Sequence, residues 1–89
     1  MTKFPLGSIY ATPGALSSVP PDVGAEALLR HSRCDWGEIC DDDRAENDRA
    51  LKEGRRLLSA YRVRDDGQKF WIITEADRSV TTVLLPEEY

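Results

Sequence analysis

The dipeptide Asp66-Gly67 lies between two β-rich runs and limits the possible folds of this chain more than any other feature. On one side, Gly54-Arg55-Arg56-Leu57-Leu58-Ser59-Ala60-Tyr61-Arg62-Val63 reads as a strand; on the other, Gln68-Lys69-Phe70-Trp71-Ile72-Ile73-Thr74 reads as a second. A type I′ turn needs positive φ at both central residues, which Asp-Gly supplies at little cost. Val80-Thr81-Thr82-Val83-Leu84-Leu85 is a third strand, stopped by Pro86. Three such runs in succession predict an antiparallel meander. A two-residue loop at Asp66-Gly67 pairs Asp65 with Gln68, Val63 with Phe70 and Tyr61 with Ile72. One face then carries Leu57, Tyr61, Val63, Phe70 and Ile72, and is the better core candidate. The other carries Leu58, Ala60, Arg62, Lys69, Trp71 and Ile73. That second face is not polar, so either helices cover both faces or Trp71 belongs to a contact surface. The Glu75–Ser79 connection leaves open which face Val80, Thr82 and Leu84 join.

Upstream, the pattern changes from strand to helix. Residues 5–11 read as a short extended segment at a sheet edge, with Pro5 at its start. Thr12 can cap a helix that has Pro13 in its first turn, and Pro20-Pro21 must end that helix. Asp22 offers a second cap for a helix over 22–33, with Ala25, Leu28, Leu29 and Ser32 on one stripe and Trp36 continuing it. Trp36-Gly37 breaks that helix. Cys40-Asp41-Asp42-Asp43 opens a third helix and Gly54 closes it. Its inward seam is thin: Ala45, Ala50 and Leu51, with Ile39 as a staple. The expected fold is therefore α+β in the order β-α-α-α-β-β-β. It comprises a three- to four-stranded antiparallel sheet, the C-terminal β meander included, packed by two or three short helices.

At 89 residues the chain is one domain, 1–89, and its 40% apolar content supports a single modest core. No run reaches the ~20 apolar residues of a membrane span. The opening Met1-Thr2-Lys3-Phe4-Pro5-Leu6 lacks the apolar stretch of a signal peptide, so a cytoplasmic protein with no membrane association is expected. In that compartment Cys34 and Cys40 are two thiols rather than a bridge.

The net charge of −4 argues against direct nucleic-acid binding. Residues 35–53 hold eight acidic side chains (Asp35, Glu38, Asp41, Asp42, Asp43, Glu46, Asp48 and Glu53) against Arg44, Arg49 and Lys52. Carboxylates spaced along a helix can imitate duplex phosphates and occupy a basic groove on a partner. Asp42, Asp43 and Glu46, with Trp71, are the candidate partner-binding residues; the simpler reading is an acidic helix that only solvates the domain. Arg55, Arg56, Arg62 and Lys69 are the alternative, a basic platform for nucleic acid. There the simpler reading is side chains snorkelling around a sheet, since Tyr61 and Trp71 alternate to opposite faces. His31, Cys34 and Cys40 fit no standard zinc spacing, and Asp41–Asp43 serve a helix cap without a metal. No metal, cofactor or catalytic residue is therefore assigned. With one histidine and no Gly-x-Ser-x-Gly or phosphate loop, an enzyme is not expected.

Several stretches resemble a family of small bacterial proteins encoded on plasmids and integrative conjugative elements, usually labelled plasmid-related. They are Ala11-Thr12-Pro13-Gly14-Ala15-Leu16, Asp35-Trp36-Gly37, Gly54-Arg55-Arg56-Leu57-Leu58-Ser59-Ala60-Tyr61, and the block from Trp71 to Thr82. The resemblance covers nearly the whole chain and carries no catalytic residues. It implies a non-enzymatic protein-binding accessory factor of a mobile genetic element, in the anti-defence class that inhibits restriction or CRISPR systems. The acidic helix, rather than the resemblance, points to a host or element-encoded protein with a basic surface as the partner, and a homodimer is compatible with both. The competing expectations are a small enzyme or toxin subunit acting on nucleic acid, or a nucleic-acid-binding regulator.

Overall fold

A computed structural model describes residues 2–64 and 67–89. Its elements are β1 (Ser8–Ala11), α1 (Pro13–Ser18), α2 (Pro21–Ser32), α3 (Asp41–Glu53), β2 (Leu57–Arg62), β3 (Lys69–Thr74), β4 (Val80–Leu84) and a closing 3-10 turn, Pro86–Glu88. The fold is α+β, and its sheet has four strands in the order β1-β4-β3-β2.

The meander β2-β3-β4 is antiparallel as expected. The sheet as a whole is mixed, because β1 lies parallel to β4 at the edge. A parallel neighbour needs a crossover; here it is the long stretch of α1, α2, α3, β2 and β3 between the two strands. Gly7, at φ +67°, leads into β1 so close to the β3-β4 turn that a Cβ would fall 2.3 Å from the Ser79 carbonyl oxygen.

The register differs from that of a two-residue loop. Tyr61 faces Phe70 and Arg62 faces Lys69, a shift of two residues. The connection runs from Val63 to Gln68, whose carbonyl accepts the Val63 N–H, and the carbonyl of Arg64 accepts the Gly67 N–H. The expected turn residues Asp65 and Asp66 lie outside the described residues. A shift of two preserves the faces. Leu57, Tyr61, Phe70 and Ile72 are buried on the helix side, as the alternation requires. Trp71 faces Leu84 and Ile73 faces Thr82, so Thr82 and Leu84 join the Trp71 face while Thr81 and Val83 point to the helices.

Helix starts follow local chemistry. The Thr12 hydroxyl accepts the Ala15 N–H with Pro13 in the first turn of α1. The Glu88 carboxylate also takes the Thr12 hydroxyl, the Gly14 N–H and the Leu85 N–H, tying the C-terminal turn to this helix end. In α2 the expected Asp22 cap is corrected: Pro20 occupies the cap position, Pro21 begins the helix, and Asp22 sits in its first turn. The inward stripe holds in part, with Ser32 and Trp36 buried and Leu28 packed against the core. Ala25 and Leu29 are exposed, whereas Ala27 and His31 are buried and Val23 is half-buried, spaced four apart. For α3, Gly54 closes the helix as expected, but the cap is the Cys40 thiol, which accepts the Asp43 N–H, rather than an aspartate. Its seam is Asn47 and Ala50 with half-buried Leu51, while Ala45 is exposed.

Two apolar clusters form the core. One joins Ala15, Val19, Ala27, Tyr61, Phe70, Ile72 and Val83 beneath α1 and α2. The other joins Phe4, Trp36, Ala50 and Leu57 beneath α3.

Candidate interaction surfaces

His31 is the residue whose surroundings most resemble a chemical site. It is fully buried, with Ser59 at Nδ1 and Thr74 Oγ1 2.9 Å from Nε2. Thr74 Oγ1 is 2.8 Å from Thr81 Oγ1, and the Thr81 hydroxyl donates to the Leu6 carbonyl at 2.6 Å. That last bond fixes every proton upstream. Thr81 accepts from Thr74, Thr74 accepts from Nε2–H, and Ser59 donates to an unprotonated Nδ1. Burial, with a smaller contribution from the Arg78 charge, lowers the His31 pKa to about 4, so the ring is neutral. Ser59, Thr74 and Thr81 have no exposed surface either. A serine donating to histidine is the arrangement of a nucleophile and its base, yet no substrate can reach this one. It is a satisfied interior network, edged by the Phe4 and Trp36 rings at 5.3 and 5.6 Å.

With both ring nitrogens occupied, His31 offers no lone pair to a cation beside Cys34 and Cys40. Both cysteines are free thiols. Burial raises the Cys34 pKa, which favours the thiol over the thiolate. Among the described residues no three His, Cys, Asp or Glu side chains gather closely enough to hold a metal ion.

The acidic segment divides in two. Asp41, Asp42 and Asp43 are exposed on the first turn of α3 and form no ion pair among the described residues. Glu46, singled out with them from the sequence, is engaged: Arg49 reaches it at 2.9 Å and Arg55 at 2.7 Å. The Arg49 hydrogen bond, followed by the Arg55 charge, holds its carboxyl below the usual range. Asp35 is likewise lowered by its Arg30 partner at 2.8 Å. Asp48 accepts the Trp36 indole N–H at 3.3 Å.

The proposed basic platform is broken up. Arg55 pairs with Glu46 and Glu53, Arg56 with Glu75, and Arg62 with Glu38. Lys69 stands opposite Arg62 at the far end of the hairpin. Tyr61 is buried on the helix side, where the Asp35 carbonyl accepts its hydroxyl and burial raises its pKa to about 12. Trp71 is half-buried on the other face, met edge-on by Tyr89 at 5.7 Å, whose hydroxyl accepts from Arg56 at 2.9 Å.

Sequence reasoning missed two residues that matter. Asn47 donates to the Leu58 carbonyl at 2.6 Å and accepts the Leu58 N–H at 3.2 Å, so its amide acts as one further residue of strand along β2. Arg78, at φ 62°, donates to the carbonyls of Arg55, Glu75, Ala76 and Ala50, joining the β3-β4 turn to the end of α3. Neither carries a local signal, since an Asn or Arg in a polar stretch reads as solvated.

Among the described residues no helix is long and apolar enough to cross a membrane. Comparison with protein-family models, with curated proteins and with solved structures found no match.

Proposed function

We propose that this chain is a non-enzymatic protein-binding domain, an acidic accessory factor of a bacterial mobile element that meets a basic surface on a host or element-encoded protein. The observation that carries the reading is the contrast within the acids. Asp35, Glu38, Glu46, Glu53 and Glu75 each have a cationic partner on their own fold. Asp41, Asp42 and Asp43 have none among the described residues and stand together on one exposed turn. Their like-charge repulsion is relieved when a cationic surface approaches, and steering by such a field speeds association. Glu46 leaves the contact set because two arginines already hold it. The sequence resemblance supplies the mobile-element setting and the anti-defence class.

The test is affinity capture from a bacterial lysate with the wild-type chain and with Asp42→Asn/Asp43→Asn, which keeps helix-compatible side chains and removes two charges. Capture falling at least tenfold, with far-UV circular dichroism unchanged, is the expected result. Equal capture by both proteins overturns the acidic-turn reading.

A further inference from the structure

We propose that the β1 edge of the sheet is a homodimer interface, at which β1 of one chain pairs antiparallel with β1 of a second copy. The first observation is an open backbone. Ser8 and Thr12 direct their N–H groups at the carbonyls of Ser79, just before β4, and of Val83 within it. Backbone groups alternate along a strand, so the N–H and C=O of Ile9 and Ala11 point away from the sheet. They meet no partner among the described residues. A strand edge of this kind is a template for another strand.

The second observation concerns charge. Residues 4–21 contain no Asp, Glu, Lys, Arg or His, in a chain where 31% of residues are charged. This stretch includes all of β1 and α1. The charge-free stretch decides between occupants, since the Glu88 carboxylate that meets it is already engaged by Thr12 and Gly14. At a two-fold contact every residue approaches the same surface of its twin, so a charged patch on a chain of net charge −4 would meet its own like charges. A stretch whose own residues carry no charge does not, and it offers little to a basic or acidic partner.

The third observation is shape. A groove of about 440 Å³ runs beside β1, lined by Ile9, Ala11, Leu16, Val19, Ala25 and Leu28. Leu16 also stands out of it, 72% exposed, and Ile9 and Tyr10 are 51% and 58% exposed. A knob next to a hole on one patch is self-complementary. With Tyr10 opposite Tyr10 of the second copy, Ile9 of each chain faces Ala11 of the other, and these two pairs exchange about four backbone hydrogen bonds. Ile9 lies on the same face as Thr81, the helix side, so Leu16 of each copy reaches the groove of the other. The result is one continuous sheet across both chains.

The experiment is sedimentation equilibrium of the full chain, alone and as two opposite-charge variants, Ile9→Lys and Ile9→Glu. At about 100 μM the wild type is expected at twice the 10.0 kDa chain mass. Each variant alone is expected at the chain mass with unchanged circular dichroism, and an equimolar mixture at twice that mass. Restoration on mixing separates a broken interface from a broken fold. A wild type that stays at the chain mass overturns the proposal, whether or not another polypeptide takes the edge. Variants that remain dimeric on their own overturn it too.

Discussion

Along β2, the outward backbone groups are all accounted for from Leu58 to Ala60. Asn47 takes both groups of Leu58, the Trp36 carbonyl accepts the Ala60 N–H, and the Ala60 carbonyl accepts the Glu38 N–H. Arg62, at the same edge, pairs with Glu38. Along β1, the equivalent groups of Ile9 and Ala11 are open, in a stretch without a charge. One edge is finished by its own chain and the other is left for pairing. Natural sheets usually blunt an edge with charge, proline or cover. This chain does so on one side only, and that asymmetry is why we assign β1, and not β2, to association.

The largest way to break the contrast is at Gly37. It lies at φ +75°, and a Cβ there would fall 2.0 Å from the Ala60 carbonyl oxygen. Gly37→Ala must push the 36–38 strap off the β2 edge and is expected to cost about 4 kcal/mol, read as a lower urea midpoint. An unchanged midpoint would mean that the strap does not close the edge.

Next in size is the network between the edges. His31 binds a proton less readily folded than unfolded, since its pKa falls from 6.5 to about 4. The unfolded chain therefore takes up the proton first as the pH drops. Stability from this group is complete above pH 6.5 and is lost on the way down to about pH 4, a difference of about 3 kcal/mol. Urea titrations at successive pH values should show this slope in the wild type and lose that part of it in His31→Gln. The paired carboxylates contribute their own acid loss in both proteins, so the difference isolates the imidazole.

The smallest effect compares the edges directly. Asn47→Ala strips two hydrogen bonds from Leu58 and is expected to cost about 2 kcal/mol. Tyr10→Ser, at the other edge, should change the stability of the monomer by less than about 0.5 kcal/mol. Equal costs at the two positions would erase the distinction.

The element order, the cap at Thr12, the stop at Gly54 and the core face of the meander were legible in the sequence because each depends on neighbours in the chain. The α2 stripe was legible only in part: Leu28 and Ser32 face inward as expected, Ala25 and Leu29 do not. Leu29 is the more apolar residue, yet it is exposed, while His31 is buried because Ser59 and Thr74 satisfy it from 28 and 43 positions away. The parallel pairing of β1 was equally hidden, since four residues carry no signal of strand direction. Of the candidate contact residues, Asp42 and Asp43 stand exposed as expected. Glu46 does not stand free, because Arg55 reaches it from beyond the helix, where a reading of the helix alone does not look.

The imidazole also acts as a ruler. A ring with an oxygen on each nitrogen needs those oxygens roughly 7 Å apart, which is the diagonal spacing between neighbouring strands. Ser59 faces Ile72, and Leu57 faces Thr74, so Ser59 and Thr74 are diagonal partners. Sliding β3 by two positions would keep every side chain on its proper side, and apolar packing alone would barely object. It would also bring Ser59 and Thr74 face to face at about 5 Å, too close to hold the ring between them. One interior histidine thus rejects the misalignment that hydrophobic patterning tolerates.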